Sequence, residues 1–277
     1  IHSSLWAGGA LGEILNKNDI PFVLTEHIKE FLIPNGFSTF QKSIIHNTYS
    51  MASQILLSSS SLKNAISKNF NTHKPKLNLL PNPVDENLFT LREIPNINPQ
   101  FIIVCISLFR PEKRIDLVLE SFNYLVHSGI KAKLKLIGDG PLKHEIENQI
   151  QKLGVSDLVE LPGYLPQKRI IDELHSSHFL VLPSDIETFG MVLVEAQACG
   201  LPVVATDCGG PKDIITAKSG ILVTPDSVSE LAGGMKKLIS SFDKFDPSEI
   251  RNSVIQKFGQ KSYAESIINI TANLIKS

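Results

Sequence analysis

Cysteine is scarce in this sequence: three residues in 277, Cys105, Cys199 and Cys208, each alone inside an apolar segment. That excludes a disulfide framework and leaves no C-x-x-C pair for zinc or redox chemistry, so all three are expected to be reduced and mostly buried. An excess of charge of one sign is absent too. With 27 Lys and Arg against 28 Asp and Glu the formal net charge is -1, and nothing argues for a nucleic-acid partner. Long apolar runs are missing: FIIVCISLF at 101–109 is about half of what a membrane span needs. The chain does not open on a charged-then-apolar leader. The expectation is therefore a cytoplasmic protein, with peripheral contact at the cytoplasmic face of a membrane left open, because a modest amphipathic patch would not register in the totals. No internal repeat of fixed period is present. The first residue is Ile, not Met, which leaves open that the sequence is a fragment.

What is present is a regular beat of short apolar runs and helical patterns, on a length that suits two domains. From residue 101, FIIVCISLF reads as a buried strand. Ile115, Val118, Leu119, Phe122, Leu125 and Val126 then recur at helical spacing, and Gly129 follows as a stop. KLKLIGDG (133–140) is the next strand, with Pro141 placed to start a helix striped by Leu142, Ile146, Ile150 and Leu153 and closed by Gly154. LVELPG (158–163), FLVLPS (179–184), PVVATD (202–207) and GILVTP (220–225) continue the series. Strands apolar on both faces and separated by helices imply a parallel sheet covered on both sides. Earlier, IPFVLTEH (20–27), QILLSS (54–59) and LNLLPN (77–82) repeat the theme as a first α/β unit. The proline-rich PNPVDENLF (81–89) and the polar REIPNINPQ (92–100) are read as boundary and hinge. Ser227 with Glu230 and Asp246 with Glu249 carry capping-box spacing, and a last helix is expected from about Gln260 to Lys276.

The stretch ETFGMVLVEAQACG (187–200) places two carboxylates, Glu187 and Glu195, around an apolar run. FLVLPS before it is a strand, so DIETFG is the loop leaving its carboxyl end and MVLVEAQACG the helix that follows. Ligands of open parallel sheets bind at that edge. Met191, Val194 and Ala198 are expected on the sheet side of the helix, and Glu195 one turn in, facing the crevice. Gly190 lets the backbone approach a ligand, and the free N–H groups of the helix start favour an anion such as a diphosphate. A carboxylate accepting from two vicinal hydroxyls is the usual solution for ribose.

With these residues the chain resembles retaining glycosyltransferases of GT-B architecture, in which E-T-F-G-M-V-L-V-E matches the E-x7-E motif. Five further blocks agree in order: PEKRIDLVLESF (111–122), LKLIGDGP (134–141), LPGYLP (161–166), FLVLPSDIETFG, and GLPVVATDCGGPKDII (200–215). The resemblance implies two Rossmann-like doubly wound parallel-sheet domains facing a cleft, with the N-terminal domain incomplete. That means a partial acceptor-side domain over 1–83, a nucleotide-sugar domain over 84–250, and a final helix in 251–277 returning to the first. It also implies transfer of a sugar from a nucleotide diphosphate sugar, a UDP- or GDP-sugar, to a glycan or lipid-linked acceptor, without a metal or other cofactor. By the same resemblance Glu195 holds the ribose and Glu187 the donor sugar. Phe189, Gly190, Met191 and Val192 present backbone N–H groups to donor phosphates and sugar. Lys113 neutralises the diphosphate, Gly138 belongs to the donor site, and Tyr164 and Leu165 border the nucleobase. His27 reaches the donor sugar from the first domain. Two departures accompany this. The family's Gly-Arg-Leu reads Ser107-Leu108-Phe109 here, with Arg110 the expected replacement for the arginine. The glycine-rich turn that opens the family's first domain has no counterpart, since WAGGALG (6–12) resembles the later helix before PFVLTEH.

Blander readings compete. Glu187 and Glu195 also fit solvated helix-end charges, His27 a capping histidine, Lys113 beside Arg114 plain surface charge, and His2 a frayed terminus. His175 and His178 lack a third ligand and are read as structural. Gly138-x-Gly140-x-x meets Lys143 where the dinucleotide fingerprint needs Gly or Ala, which disfavours a nicotinamide dehydrogenase. A glycosidase sets its carboxylates on opposed elements, whereas these share one loop and helix. A nucleotide-sugar epimerase of the same architecture and a catalytically silent sugar-nucleotide binder stay as rivals.

Overall fold

The computed structural model describes residues 1–70, 76–93, 95 and 100–275. Two compact units emerge. One comprises Ile1–Pro83, Glu187–Phe189 and Gln260–Ser277, the other Val84–Ile186 and Gly190–Gly259.

In the first unit a π-helical turn, Ser3–Gly8, runs into α1 (Gly9–Lys17), followed by β1 (Val23–Glu26), α2 (Thr39–Met51), β2 (Gln54–Leu57), α3 (Ser60–Asn69) and β3 (Leu77–Leu79). The strands form a parallel sheet in the order β1-β2-β3. Leu24, Ile45, Ile55, Leu57, Leu62 and Ile66 are fully buried between sheet and helices. α2 starts on a reciprocal capping box that was not read from the sequence. Ser38 Oγ accepts from Gln41 N–H, and Gln41 Oε1 accepts from Ser38 N–H at 2.8 Å. His2, expected to fray, is instead tied to Thr25 by a backbone bridge and a ring-to-hydroxyl hydrogen bond.

The second unit alternates β4 (Phe101–Ile106), α4 (Ile115–His127), β5 (Ala132–Ile137), α5 (Lys143–Leu153), β6 (Val159–Gly163), α6 (Gln167–Ser176), β7 (Phe179–Leu182), α7 (Met191–Ala198), β8 (Val203–Thr206), α8 (Pro211–Ile214), β9 (Gly220–Val223), α9 (Val228–Ser240) and α10 (Pro247–Phe258). α11 (Gln260–Ile275) follows and is grouped with the first unit. Residues 251–258, placed by the sequence with the returning helix, lie in α10, and Gly259 after it closes the second unit. All six strands are parallel in the order β6-β5-β4-β7-β8-β9. Chain direction along the sheet reverses between β4 and β7, which is the switch point at which doubly wound sheets bind ligands. Residues 179–182 and 203–206 are buried throughout, as expected of strands covered on both faces. Ser227 and Asp246 cap α9 and α10 by accepting the N–H groups of Glu230 and Glu249. Cys105 and Cys199 are buried, and burial pushes both thiols up to about 12.

Two differences from the expected elements share a cause. β4 stops at Ile106, although the apolar run continues to Phe109, and α5 starts at Lys143 rather than Pro141. Phe109 is buried by folding back on the next strand's exit: its N–H donates to Asp139 O at 2.9 Å, and its carbonyl accepts from Leu142 N–H at 3.2 Å. Local loop pairing takes the groups that strand and helix would have used.

The proline-rich segment is not a free tether. Val84 N–H donates to Phe258 O at 2.8 Å, and Arg251 donates to the carbonyls of Glu86, Phe89 and Ala198. Arg92 is buried and donates to Ser177 O at 2.6 Å and His178 O at 3.3 Å. Of the polar continuation, residues 94 and 96–99 lie outside the described residues. Removing a cationic donor from buried carbonyls costs about 2 kcal/mol. Arg251→Met should therefore lower Tm by about 5 °C in a thermal melt, and an unchanged Tm would contradict this strapping role.

Candidate functional site

The residues singled out from the sequence lie on the loops leaving the carboxyl ends of β1, β4, β5, β6 and β7 or, for Met191, Val192 and Glu195, in α7 after the last of these loops. In the second unit the β4 and β7 loops flank the switch point, while Gly138, Tyr164 and Leu165 lie on the exits of β5 and β6. After β4 the chain makes a short turn, Pro111–Lys113, that carries Arg110 and Lys113 on consecutive bends, with Lys113 N–H donating to Arg110 O at 3.0 Å. Leu108 stands exposed at the position of the family arginine. After β7 come Ser184, whose carbonyl accepts from Thr206 Oγ1, and Asp185, whose N–H donates to Glu112 O at 2.9 Å. β4 and β7 pair directly, so their two loops leave the sheet side by side.

Gly190 has φ +102 and ψ +59, a left-handed conformation that favours glycine, and it turns the loop into α7. No side chain caps this helix; Leu193 N–H donates to Gly190 O at 3.0 Å, and the N–H groups of Met191 and Val192 point out of the helix start, the place where anions bind. Leu193, Val194, Ala196, Gln197 and Ala198 are buried, while Met191, Val192 and Glu195 are half-buried. These three are spaced i, i+1 and i+4 and form the helix's one open face. Met191 therefore joins Glu195 on that face instead of packing on the sheet as expected. Burial without a compensating cation raises the Glu195 pKa above the ordinary carboxylate range. Glu187 is half-buried and Phe189 buried in the loop before the helix.

Gly138 and Gly140 have a backbone task. A Cβ at Gly138 would lie 1.8 Å from Ser107 O, and one at Gly140 would lie 2.5 Å from Phe109 O. Gly138 N–H donates to Gly163 O at 3.0 Å, so its residue sits between the exits of β4 and β6. Tyr164 is exposed and Leu165 half-buried where the chain leaves β6, the edge strand.

In the first unit His27 follows β1 at the surface. Partial burial of its ring and the nearby His2 ring, with centroids 6.3 Å apart, hold its pKa below the usual histidine value. Behind it Glu26 is fully buried. Its Oε1 accepts from Ser4 N–H at 2.7 Å and Tyr49 Oη–H at 3.3 Å, and burial raises its pKa. Sequence reading passed over Glu26, although a charged residue at the inward position of the alternating strand VLTE was the available signal. It also passed over Arg114, whose guanidinium reaches Asp116, Asp185 and Asp226.

His175 and His178 are structural, bonded to Thr90 O at 2.9 Å and to Ile102 N–H at 2.8 Å. Among the described residues no His, Cys, Asp and Glu set has the arrangement of a metal site, and no helix is long and apolar enough to cross a membrane.

A doubly wound sheet with a glycine-led helix and a carboxylate at its switch point defines an α/β protein with a candidate ligand site at the carboxyl edge of its sheet. Residues 89–256 match the family model described as Glycosyl transferases group 1, and the chain belongs to that family. Its fold is the GT-B type of those enzymes. It is 31% identical over 195 residues to an exopolysaccharide phosphotransferase of Streptomyces coelicolor, covering 69% of this chain and 19% of that protein. It is 25% identical over 270 residues to an uncharacterized glycosyltransferase of Methanocaldococcus jannaschii, covering 91% of this chain and 69% of the other. With an N-acetyl-alpha-D-glucosaminyl L-malate synthase of Bacillus anthracis it shares 33% identity over 141 residues, 48% of this chain and 36% of that one. The chain thus spans between 19% and 69% of the length of these relatives. Among solved structures, Anabaena HepE in complex with UDP superposes with a TM-score of 0.85 at 22% identity, covering 96% of this chain and 76% of that one. A sucrose-phosphate synthase of Thermosynechococcus elongatus superposes with a TM-score of 0.82 at 19% identity, covering 100% and 73%.

Two predictions follow from the packing alone. Gly138→Ala should cost about 3 kcal/mol or more, because its methyl meets a backbone carbonyl. Gly154→Ala, at φ +69 with open space around it, should cost only about 1 kcal/mol. Equal losses in denaturant titrations would contradict the packing at Gly138. Because the folded-state pKa of Glu195 is raised, its ionisation opposes folding. Its contribution is most favourable below the unfolded value and is lost as pH rises through the folded one. Glu195→Gln should therefore raise the ligand-free Tm by about 2 °C at neutral pH and leave it unchanged near pH 4. Melting curves that run parallel at both pH values would contradict this.

Proposed function

We propose that this chain carries the donor site of a retaining glycosyltransferase that moves a sugar from a nucleotide diphosphate sugar to a hydroxyl acceptor, a glycan or lipid-linked saccharide. The observation that carries the reading is Glu195 on the open face of α7, one turn from an uncapped helix start at the switch point. Its carboxylate would accept from the ribose hydroxyls, while the N–H groups of Gly190, Met191 and Val192 meet phosphate oxygens. Lys113 and Arg110 on the adjoining loop supply positive charge to the same diphosphate, and Tyr164 and Leu165 border the base. In the reaction the bond from the anomeric carbon to the phosphate oxygen breaks, a bond from that carbon to the acceptor oxygen forms, and negative charge grows on the departing diphosphate. Stabilising that charge is the main electrostatic task, and on this reading it is met by Lys113, Arg110 and the α7 start without a metal. The resemblance assigns Glu187 and His27 to the donor sugar. Retention at the anomeric carbon is taken from the resemblance of ETFGMVLVE to the E-x7-E motif. UDP in the similar Anabaena structure supports a nucleoside diphosphate as ligand. The reading keeps the enzyme cytoplasmic, with peripheral contact at the membrane where its acceptor is lipid-linked.

A second reading, a sugar-nucleotide binder without turnover, is favoured by exposed Leu108 where the family carries arginine. A thermal-shift panel of UDP, GDP, ADP and CDP with their sugar conjugates tests the first and separates the two. One base should raise Tm by several degrees through mass action, and Glu195→Ala should weaken binding about tenfold or more. Glu187→Ala should keep most of the shift yet lose turnover roughly 100-fold. Equal and small losses at both positions would overturn the assignment. Binding without a new glycosidic bond would leave the silent binder, and a changed donor sugar without transfer an epimerase.

A further inference from the structure

Arg114 takes a left-handed backbone conformation, φ +47 and ψ +48, between the turn Pro111–Lys113 and α4. A side chain in that conformation is disfavoured relative to glycine by roughly 1 kcal/mol, so its presence there points to a use of the side chain. The Arg114 side chain as a whole is one-fifth exposed (20%). Nη1 donates to Asp185 Oδ1 at 3.1 Å and to Asp226 Oδ1 at 2.6 Å, while Nε and Nη2 grip Asp116 at 3.1–3.2 Å. One cation thus joins the exits of β4, β7 and β9, gripping three carboxylates at once with the fixed fork of its guanidinium. Beyond the strand ends the sheet's own hydrogen bonds no longer set the distance between the β4 and β7 loops. That distance is held by Arg114 on Asp185 and by Asp185 N–H on Glu112 O.

We propose that Arg114 is a positioning residue: by latching Asp185 it keeps the loop of Arg110 and Lys113 in register with the glycine turn that starts α7, so that one diphosphate meets both. This rests on the reading of the switch point as a nucleotide diphosphate site. Neither latch residue is assigned a contact with the donor.

The charges make the idea testable. If Arg114 and Asp185 acted on a bound anion through their charge, losing the cation would weaken binding and losing the anion would strengthen it. A latch requires both losses to weaken it. Arg114→Gly suits the left-handed backbone and should stay folded; Arg114→Lys keeps the charge but not the fork. These variants, Asp185→Asn and the Arg114→Gly/Asp185→Asn double variant are titrated with UDP and, in parallel, GDP by calorimetry. Amide exchange of 108–113 and 185–192 is followed without ligand, and KM and kcat are measured for the donor. The expected result is an affinity about tenfold weaker in each of the Arg114→Gly and Asp185→Asn single variants, with no further loss in the double. Donor KM should rise with kcat nearly unchanged, Arg114→Lys should recover part of the loss, and exchange should speed up in both loops. Tighter binding in Asp185→Asn, additive losses in the double, or unchanged exchange in either loop would overturn the latch. Faster exchange in both loops, with no binding of either nucleotide to the wild-type chain, would instead overturn the site reading and the positioning role that depends on it.

Discussion

Everything in the second unit follows from one constraint: a parallel sheet buried on both faces must deliver every strand to the same edge. Six strands end there, and because their order reverses between β4 and β7, helices leave that edge in opposite directions and open a crevice between neighbouring loops. The crevice has to be lined by backbone that comes unusually close to other backbone. Gly138 and Gly140 allow it, since a methyl at either would strike a carbonyl of the preceding loop. Phe109 closes the floor by leaving strand geometry and donating its N–H to Asp139. α7, buried on all but one face, can then present only Met191, Val192 and Glu195.

Charge is distributed unequally over this frame. Arg92 and Arg251 spend their donors on backbone carbonyls and hold the segment after Pro83 against the second unit. Arg114 is engaged by carboxylates on three sides. Glu195 and Glu26 stand differently, since both are raised in pKa mainly by desolvation. Groups left that way destabilise a fold slightly when ionised, and such groups cluster at functional sites. In Glu195 that cost sits beside a helix start able to take an anion, the juxtaposition on which the proposed donor site rests.

Much of this was legible in the sequence, and the failures have physical reasons. Alternating apolar runs and helical stripes located the strands and helices of both units because burial on two faces leaves an unmistakable pattern. Strand exits were overrun at FIIVCISLF and KLKLIGDG because a loop that packs backbone to backbone keeps the apolar and glycine composition of a strand. The face of α7 was misassigned at Met191, since a helix buried nearly all round carries no stripe to orient it. Glu26 and Arg114 escaped notice because each acts through partners far along the chain or through a backbone conformation that composition does not display, whereas the Ser38-x-x-Gln41 capping box has a readable spacing and was overlooked. The E-x7-E spacing, by contrast, was readable because loop and helix are contiguous. The roles assigned to its two carboxylates come from family resemblance, to which the open face around Glu195 adds a physical reason.

Hydrogen–deuterium exchange of the full chain, with and without the nucleotide diphosphate that binds it, tests the central claim most directly. Slower exchange is predicted in residues 108–113 and 185–195 together, because amides at the α7 start and around Lys113 would share one diphosphate. Protection confined to other segments, with these two unchanged, would contradict a donor site at the switch point.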